Sequence, residues 1–175
     1  ILNIEDDNVR KISYGGRWEK ISYAINQDAD VVAKNISTKI INYQGLTSFE
    51  VRSKQDKFKV ETPTLGKEGN VLASLSAVAI GEIYHLSNLE IIAGLKNFKN
   101  DKHRMNVFEG KNGSTIIDDS YNANPLSMKS ALKMLQELPS KGRKIAIIGD
   151  MREIGKISTE AHILMGKYAQ EIADI

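Results

Sequence analysis

The sequence predicts an α/β fold in two parts, and three observations lead to it. Between Trp18 and Pro63 short runs alternate apolar and polar residues, the period of half-buried strands. From residue 70 to about residue 98 the apolar spacing changes to three and four, the period of amphipathic helices. After residue 104 the order is hairpin, helix, strand, helix, which implies a parallel β-α-β unit with a right-handed crossover. A domain boundary is expected near residue 103.

The opening "ILNI" reads as a short strand that runs into the acidic turn Glu5-Asp6-Asp7, then a short amphipathic segment to Tyr14. Strands follow at "KISYAI" and "DVVAKNISTKI", then at "SFEVRS" and "KFKVETP" around a Gln55-Asp56-Lys57 turn. Val71, Leu75, Val78, Ala79 and Ile83 then fall at helical spacing. "SNLE" is a capping box, in which Ser87 receives the Glu90 amide while the Glu90 side chain reaches back; it opens a second helix. "MNVFEGKNGSTIIDD" reads as two strands joined by an Asn112-Gly113 turn. The helix after Pro125 places Met128, Ala131, Leu132, Leu135 and Leu138 on one face. "KIAIIGD" is a nearly continuous apolar strand, and a last helix from about Ser158 carries Ala161, Leu164, Met165, Tyr168 and Ile172.

The composition is that of an ordinary globular chain, 41% hydrophobic and 26% charged with net charge +2. Its basic residues are scattered, so no polyanion-binding face is predicted and no nucleic-acid partner is expected. No apolar run approaches the roughly 18 residues of a membrane span. The absence of cysteine excludes disulfide and thiolate chemistry and fits a cytoplasmic home. Because the text begins at Ile1 within a strand pattern, the chain is expected to be a piece of a longer protein.

Parallel strands end at the same sheet edge, where open α/β sheets bind ligands. The expected unit therefore sets "DDSYNANP" beside "GDMREIG". Asp118 and Asp119 stand where a carboxylate can accept hydrogen bonds from a ligand hydroxyl such as ribose, and Asn122 and Asn124 offer both donors and acceptors. Plainer roles exist for each: Asn124 suits a helix N-cap with Pro125 at the first helical position, and the acids can be simply solvated. Tyr121 reads as a packing residue. Arg104 is either a surface arginine or, through its fixed fork of donors, a phosphate or ribose clamp. "GDMREIGKIS" imitates a phosphate-binding loop, but five residues separate Gly149 from Gly155 and Ile157 stands where the metal-binding hydroxyl belongs. His85, His103 and His162 lack metal-ligand spacing, so no metal site is expected; His162 lies beside the "GDMREIG" loop.

"DDSYNANPLSM", "GRKIAIIGDMREIG" and "EAH" together resemble the Mur ligase family, and within it the branch that joins D-alanyl-D-alanine to UDP-N-acetylmuramoyl-tripeptide. "ILNIEDDNV", "GNVLASLSAVAIG" and "HRM" extend the likeness more weakly over the whole chain. The resemblance implies that residues 1–103 are the end of a mixed-sheet ATPase central domain. Residues 104–175 would be the first half of a Rossmann-like C-terminal domain with a parallel βαβ unit. It implies an ATP-dependent amide ligase of peptidoglycan synthesis that works through an acyl phosphate. Asn70 would approach adenine, Arg104 the ATP ribose or phosphates, and Asp119 the ribose hydroxyls. Asn122, Asn124, Asp150 and Glu153 would line the side that receives the dipeptide. The catalytic residues, phosphate loop and Mg²⁺ ligands are expected upstream, so the chain alone is expected to be inactive. Of the family's H-N-x-x-N only Asn70 remains, in "GKEGN". Two alternatives stand beside this reading: a folylpolyglutamate synthase-like ligase, which "YNANP" argues against, and a degenerate, non-catalytic nucleotide-binding or scaffold module.

Overall fold

The computed structural model describes residues 1–12, 19–54 and 56–175 of the 175-residue chain. The chain divides into two compact units, Ile1–Thr38 with Gly45–Lys99, and Lys39–Gln44 with Asn100–Ile175. The expected segment around Tyr14, the strand-region start at Trp18 and turn residue Gln55 lie outside the described residues.

The first unit is built on a five-stranded sheet ordered β1 (Leu2–Asn3), β2 (Ser22–Ala24), β3 (Val31–Ile41), β4 (Gln44–Ser53) and β5 (Lys57–Thr62). The first three strands run parallel to one another, and β5 runs antiparallel to β4. A short helix, α1 (Asp7–Ile12), follows β1. Between β3 and β4 only Asn42 and Tyr43 remain, both with positive φ (49° and 56°), as the two-residue turn matching strand twist requires. Two helices follow the sheet, α2 (Gly69–Ile83) and α3 (Asn88–Lys96).

The core lies where alternate strand residues meet the apolar stripe of α2. Val31 and Ala33, Phe49 and Val51, and Val60 face Val71, Leu75, Val78 and Ala79, with Ile91 of α3 completing the cluster. Leu75 is wholly buried, and removing such a side chain from water stabilises by about 1.5–3 kcal/mol. The expected Ile83 stays at the exposed end of α2. Gly81 lets the helices touch: a Cβ there would lie 2.7 Å from Ile91 Cγ1. The predicted capping box forms, with the Ser87 amide donating to Glu90 Oε2 (2.8 Å) and the Glu90 amide to Ser87 Oγ (3.3 Å).

The second unit holds an antiparallel pair, β6 (Asn106–Glu109) and β7 (Thr115–Asp118), in register from Asn106 opposite Asp118 to Glu109 opposite Thr115. Its loop turns through Asn112 and Gly113, both left-handed (φ 57° and 72°), as the sequence predicts. Then come α4 (Pro125–Glu137) and α5 (Ser158–Ile172). α4 buries Leu132 and Met134; α5 buries Ala161, Met165 and Ala169, one residue per turn.

The α/β class holds, but the parallel βαβ step expected in the second unit does not form a ladder. Residues 144–150 carry no regular strand, and among the described residues the unit's only sheet is the β6–β7 pair. The backbone bonds of this segment go instead to the chain's last residues: Ala146 N–H donates to Ile175 O (2.9 Å) and Asp174 N–H to Lys144 O (2.8 Å). An all-apolar strand is stable in a parallel sheet when both faces are covered; here Ile147 is 97% exposed and Ile145 and Ile148 are also open, so these residues do not supply the covering that such a ladder needs.

Asp30 is an ionic anchor of the first unit. Burial alone would raise its pKa, yet the Lys54 ammonium (2.6 Å) and the Ser22 hydroxyl and amide (2.6 and 2.8 Å) hold it at about 2 against an ordinary 3.8. A depressed carboxyl contributes stability that is present above its unfolded pKa and is lost as pH falls through the folded value. This contribution should therefore fade between pH 3.8 and about 2. In Lys54→Met the Asp30 titration, followed by carboxyl NMR, should move upward; an unmoved midpoint would show that the ammonium contributes nothing in solution.

Candidate functional site

β7 ends in two adjacent carboxylates whose surroundings differ. Asp118 accepts from the Ser120 hydroxyl (2.7 Å) and amide (3.1 Å), and its other oxygen lies 2.7 Å from His103 Nδ1. These bonds, Ser120 first and His103 second, hold its pKa below the ordinary carboxylate range. Asp119 is half-buried, and burial pushes its pKa up against the opposing Met105 hydrogen bond and Arg104 charge. Its Oδ1 accepts from Met105 N–H at 3.1 Å, and among the described residues its Oδ2 carries no hydrogen bond.

The partner segment 103–105 is bent to reach these acids. His103 and Met105 both take left-handed backbone angles (φ 62° and 50°), and Tyr121 N–H donates to His103 O at 3.0 Å. Arg104, between them, stacks its guanidinium 4.1 Å from the centre of the Tyr121 ring. Tyr121 is therefore no core residue: it is 63% exposed and serves as the platform on which Arg104 rests. Arg104 and Asp119 thus belong to one cluster within the second unit.

The asparagines serve the next loop. Asn124 caps α4, its Oδ1 accepting from Ser127 N–H (2.9 Å) while its own amide donates to Ser127 Oγ (3.1 Å). Asn122 is exposed and its Oδ1 accepts from Ala123 N–H at 2.9 Å. The structure does bring the "DDSYNANP" and "GDMREIG" loops together, though through an apolar contact instead of a strand ladder. Met151, 2% exposed, packs with Ala161 and Met165 and against Ala123, Met128 and Ile154. On either side of this anchor Asp150 and Glu153 are exposed, and Glu153 adopts φ 61°.

His162, on the second turn of α5, fastens this loop. Its Nδ1 lies 2.7 Å from Ser158 O, so Nδ1 carries a hydrogen, while Met151 N–H donates to Nε2 at 3.0 Å. The Asp150 carboxylate lies 2.8 Å from the same Nε2. Asn70 belongs to the first unit, at the start of α2, where its side-chain amide donates to Leu65 O. Gly66, with φ 122°, gives the loop its tight approach to that amide.

For a nucleotide, the fit lies in Asp119, a desolvated carboxylate with one oxygen uncommitted beside an exposed guanidinium. In the first unit, the Asn70 amide oxygen accepts no hydrogen bond among the described residues. Among the described residues no three His, Asp or Glu side chains converge on one point. His103, Ser120 and His162 were not singled out as site residues by sequence. Their signal was proximity, since each adjoins a residue that was: Arg104, Asp119 and the "GDMREIG" loop.

Fold and loops define an α/β chain whose polar surface lies at strand ends and helix starts, and its relatives identify the class more closely. Residues 103–175 match the family model "Mur ligase, glutamate ligase domain". A UDP-N-acetylmuramoyl-tripeptide--D-alanyl-D-alanine ligase of Bacillus subtilis is 32% identical over 116 residues, 66% of this chain and 25% of that protein. A UDP-N-acetylmuramate--L-alanine ligase of Clostridium acetobutylicum is 35% identical over 140 residues, 79% of this chain and 29% of that protein. The crystal structure of the MurF ligase of Thermotoga maritima in complex with ADP superposes with a TM-score of 0.76 at 25% identity, covering 95% of this chain and 36% of that one. The chain belongs to the Mur ligase family. It spans about a quarter to a third of the length of the relatives it matches.

Two outcomes follow for solution work. Carboxyl NMR should find Asp118 titrating below Asp119, because hydrogen bonds favour the charged form of the first and burial disfavours that of the second. The reverse order would show that the Ser120 and His103 bonds to Asp118 do not persist. Separately, Asn124→Ala should lower the stability of the second unit by about 1 kcal/mol through loss of the cap, and Asn124→Ser should recover most of it.

Proposed function

We propose that this chain is part of an ATP-dependent amide ligase of peptidoglycan synthesis that adds D-alanyl-D-alanine to UDP-N-acetylmuramoyl-tripeptide. In this reading residues 1–103 close the ATP-binding central domain and residues 104–175 open the C-terminal domain. The observation that carries it is the Arg104–Asp119 cluster. A half-buried carboxylate with a free oxygen beside a stacked guanidinium suits a vicinal diol next to phosphate.

The residues divide the work between two loops. Asp119 Oδ2 accepts from a ribose hydroxyl while Met105 holds Oδ1; Arg104, braced on Tyr121, faces ribose or phosphate. Asn70 offers its amide oxygen to adenine. ATP supplies the phosphoryl group that activates the tripeptide carboxylate as an acyl phosphate. On the acceptor side, Asp150 and Glu153 present negative charge to the dipeptide's ammonium, and Asn122 and Asn124 offer amides to its carboxylate and peptide group. In this reading the phosphate loop, Mg²⁺ ligands and catalytic residues belong to other parts of the full-length ligase, and the setting is the cytoplasm. The 35% identity to an L-alanine ligase supports a second reading, in which the acceptor is L-alanine and the same Asp150 and Glu153 meet its ammonium. The "YNANP" loop favours the dipeptide.

In the full-length ligase, Asp119→Ala should mainly raise the KM for ATP, and Asn122→Ala or Glu153→Ala the KM for the acceptor. Each lost bond to a charged group costs about 1.5–3 kcal/mol, roughly ten- to a hundredfold. Each variant needs an unchanged melting temperature first, since the loop asparagines also hold backbone. An unaltered ATP KM in folded Asp119→Ala would remove the ribose assignment, and a preference for L-alanine would select the second reading.

The chain by itself should release no phosphate from ATP with any such substrate. Calorimetry should find at most weak nucleotide binding. Sub-micromolar affinity, corresponding to more than about 8 kcal/mol, would place the phosphate site within these residues.

A further inference from the structure

We propose that His162 is a positioning residue for the acceptor side of the site: it holds the Asp150–Met151 peptide so that the Asp150 carboxylate meets the incoming amine. This rests on the ligase reading for its substrate, but the anchoring itself stands on this chain's geometry.

Three contacts fix the ring. Nδ1 is bound to the carbonyl of Ser158, one helical turn earlier on α5, which orients the imidazole and gives Nδ1 its hydrogen. Nε2 then projects from the helix toward the loop, where it meets Met151 N–H at 3.0 Å and Asp150 Oδ1 at 2.8 Å. In the Nδ1–H tautomer Nε2 accepts from Met151; with a second proton it donates to Asp150. The one ring nitrogen thus holds Met151 in the first state and Asp150 in the second, and in each a residue of the loop is tied to α5. The Met151 side chain closes the arrangement from the other direction, buried against Ala161 and Met165 of the same helix.

The loop has few other constraints. Residues 149–154 form no regular element, Asp150 and Arg152 are exposed, and the Arg152 guanidinium reaches Asp150 Oδ2 only at 3.9 Å. Glu153 turns through a left-handed conformation immediately afterwards. Without the ring, Met151 would still be held by packing, but the direction of the Asp150 side chain would not be set. With the ring protonated on both nitrogens, Oδ1 accepts from His162 and Oδ2 is left toward solvent, where an ammonium group can donate to it. The ligand chemistry this selects is a small amino acid or dipeptide presenting a free amine.

His162→Ala and His162→Gln test the role, since glutamine can still accept from Met151 and donate to Asp150. In this chain, amide hydrogen exchange should be accelerated at Met151 by His162→Ala, with α5 exchange unchanged, and restored at least in part by His162→Gln. In the full-length ligase, His162→Ala should raise the acceptor KM on the order of tenfold, leaving the ATP KM and kcat near their original values, and glutamine should rescue it. Adding His162→Ala to Asp150→Ala should cause little further loss, because both act through one contact. Unchanged Met151 exchange in His162→Ala, a glutamine variant no better than alanine, or full additivity with Asp150→Ala would each overturn the proposal. If exchange responds as expected while the ligase turns over no amine acceptor of this kind, the anchoring stands and the proposed function fails.

Discussion

The hydrogen bond from Met105 N–H to Asp119 Oδ1, 3.1 Å long, ties the start of the second unit to the end of β7. Regular pairing between β6 and β7 stops at Asn106 opposite Asp118, and beyond it the connection continues partly through side chains. His103 reaches Asp118, Met105 reaches Asp119, and Tyr121 N–H returns to His103 O. Left-handed angles at His103 and Met105 are unfavourable by about 1–2 kcal/mol for each non-glycine residue, so these bonds offset a real strain. The consequence falls on Arg104. Held between two turned residues, it rests on the exposed Tyr121 ring beside Asp119. An arginine in a free loop would have to lose far more side-chain freedom on meeting a ligand.

A second constraint acts at the neighbouring loops, and it is apolar. Exposed loops rich in Asp, Asn and Glu have no packing of their own to hold them. Met151 supplies it by burying itself between α5 and the α4 loop, with Ala123 and Met128 closing over it. The polar residues then occupy positions set by helix ends: Asn124 by the cap of α4, Asp150 by His162 of α5. A helix terminus is a rigid reference because its first turn presents unsatisfied amides that demand a partner. Polar groups used in this way are ordered before any ligand arrives.

What the sequence disclosed follows the range of the interactions concerned. The Ser87–Glu90 box, the Asn124-Pro125 helix start and the Asn112-Gly113 turn are local, and each formed as its residues dictate. The stripe of Val71, Leu75, Val78 and Ala79 was legible for the same reason, since one helix face decides it. "KIAIIGD" was read as a paired strand from its apolar content, but pairing is a long-range property of neighbours that content does not contain. The Asn42-Tyr43 turn escaped notice because it lacks glycine, although asparagine tolerates positive φ. Tyr121 reads as a packing residue, and what the sequence does not show is the direction: it packs outward, its exposed ring lying under Arg104. The sequence sets His162 beside the "GDMREIG" loop, but the carboxylates that His103 and His162 meet come from other segments of the chain, which spacing along the sequence does not reveal.

The two acids at the end of β7 show why adjacent identical residues need not be equivalent. Asp118 has its acceptor capacity filled by Ser120 and His103, so a ligand donor arriving there would have to displace an existing bond. Asp119 is in the opposite condition. Burial has removed water from it, only Met105 occupies one oxygen, and its raised pKa records that its charged form is short of partners. A hydroxyl donor to Oδ2 would therefore replace little and relieve an existing desolvation, which is the situation in which one hydrogen bond contributes most to binding. The same contact favours the ionised carboxylate, so by linkage ligand binding and loss of the Asp119 proton must strengthen each other. Two acids identical in sequence thus become unlike in structure: Ser120 and His103 satisfy one, while the other keeps the Met105 amide and an uncommitted oxygen.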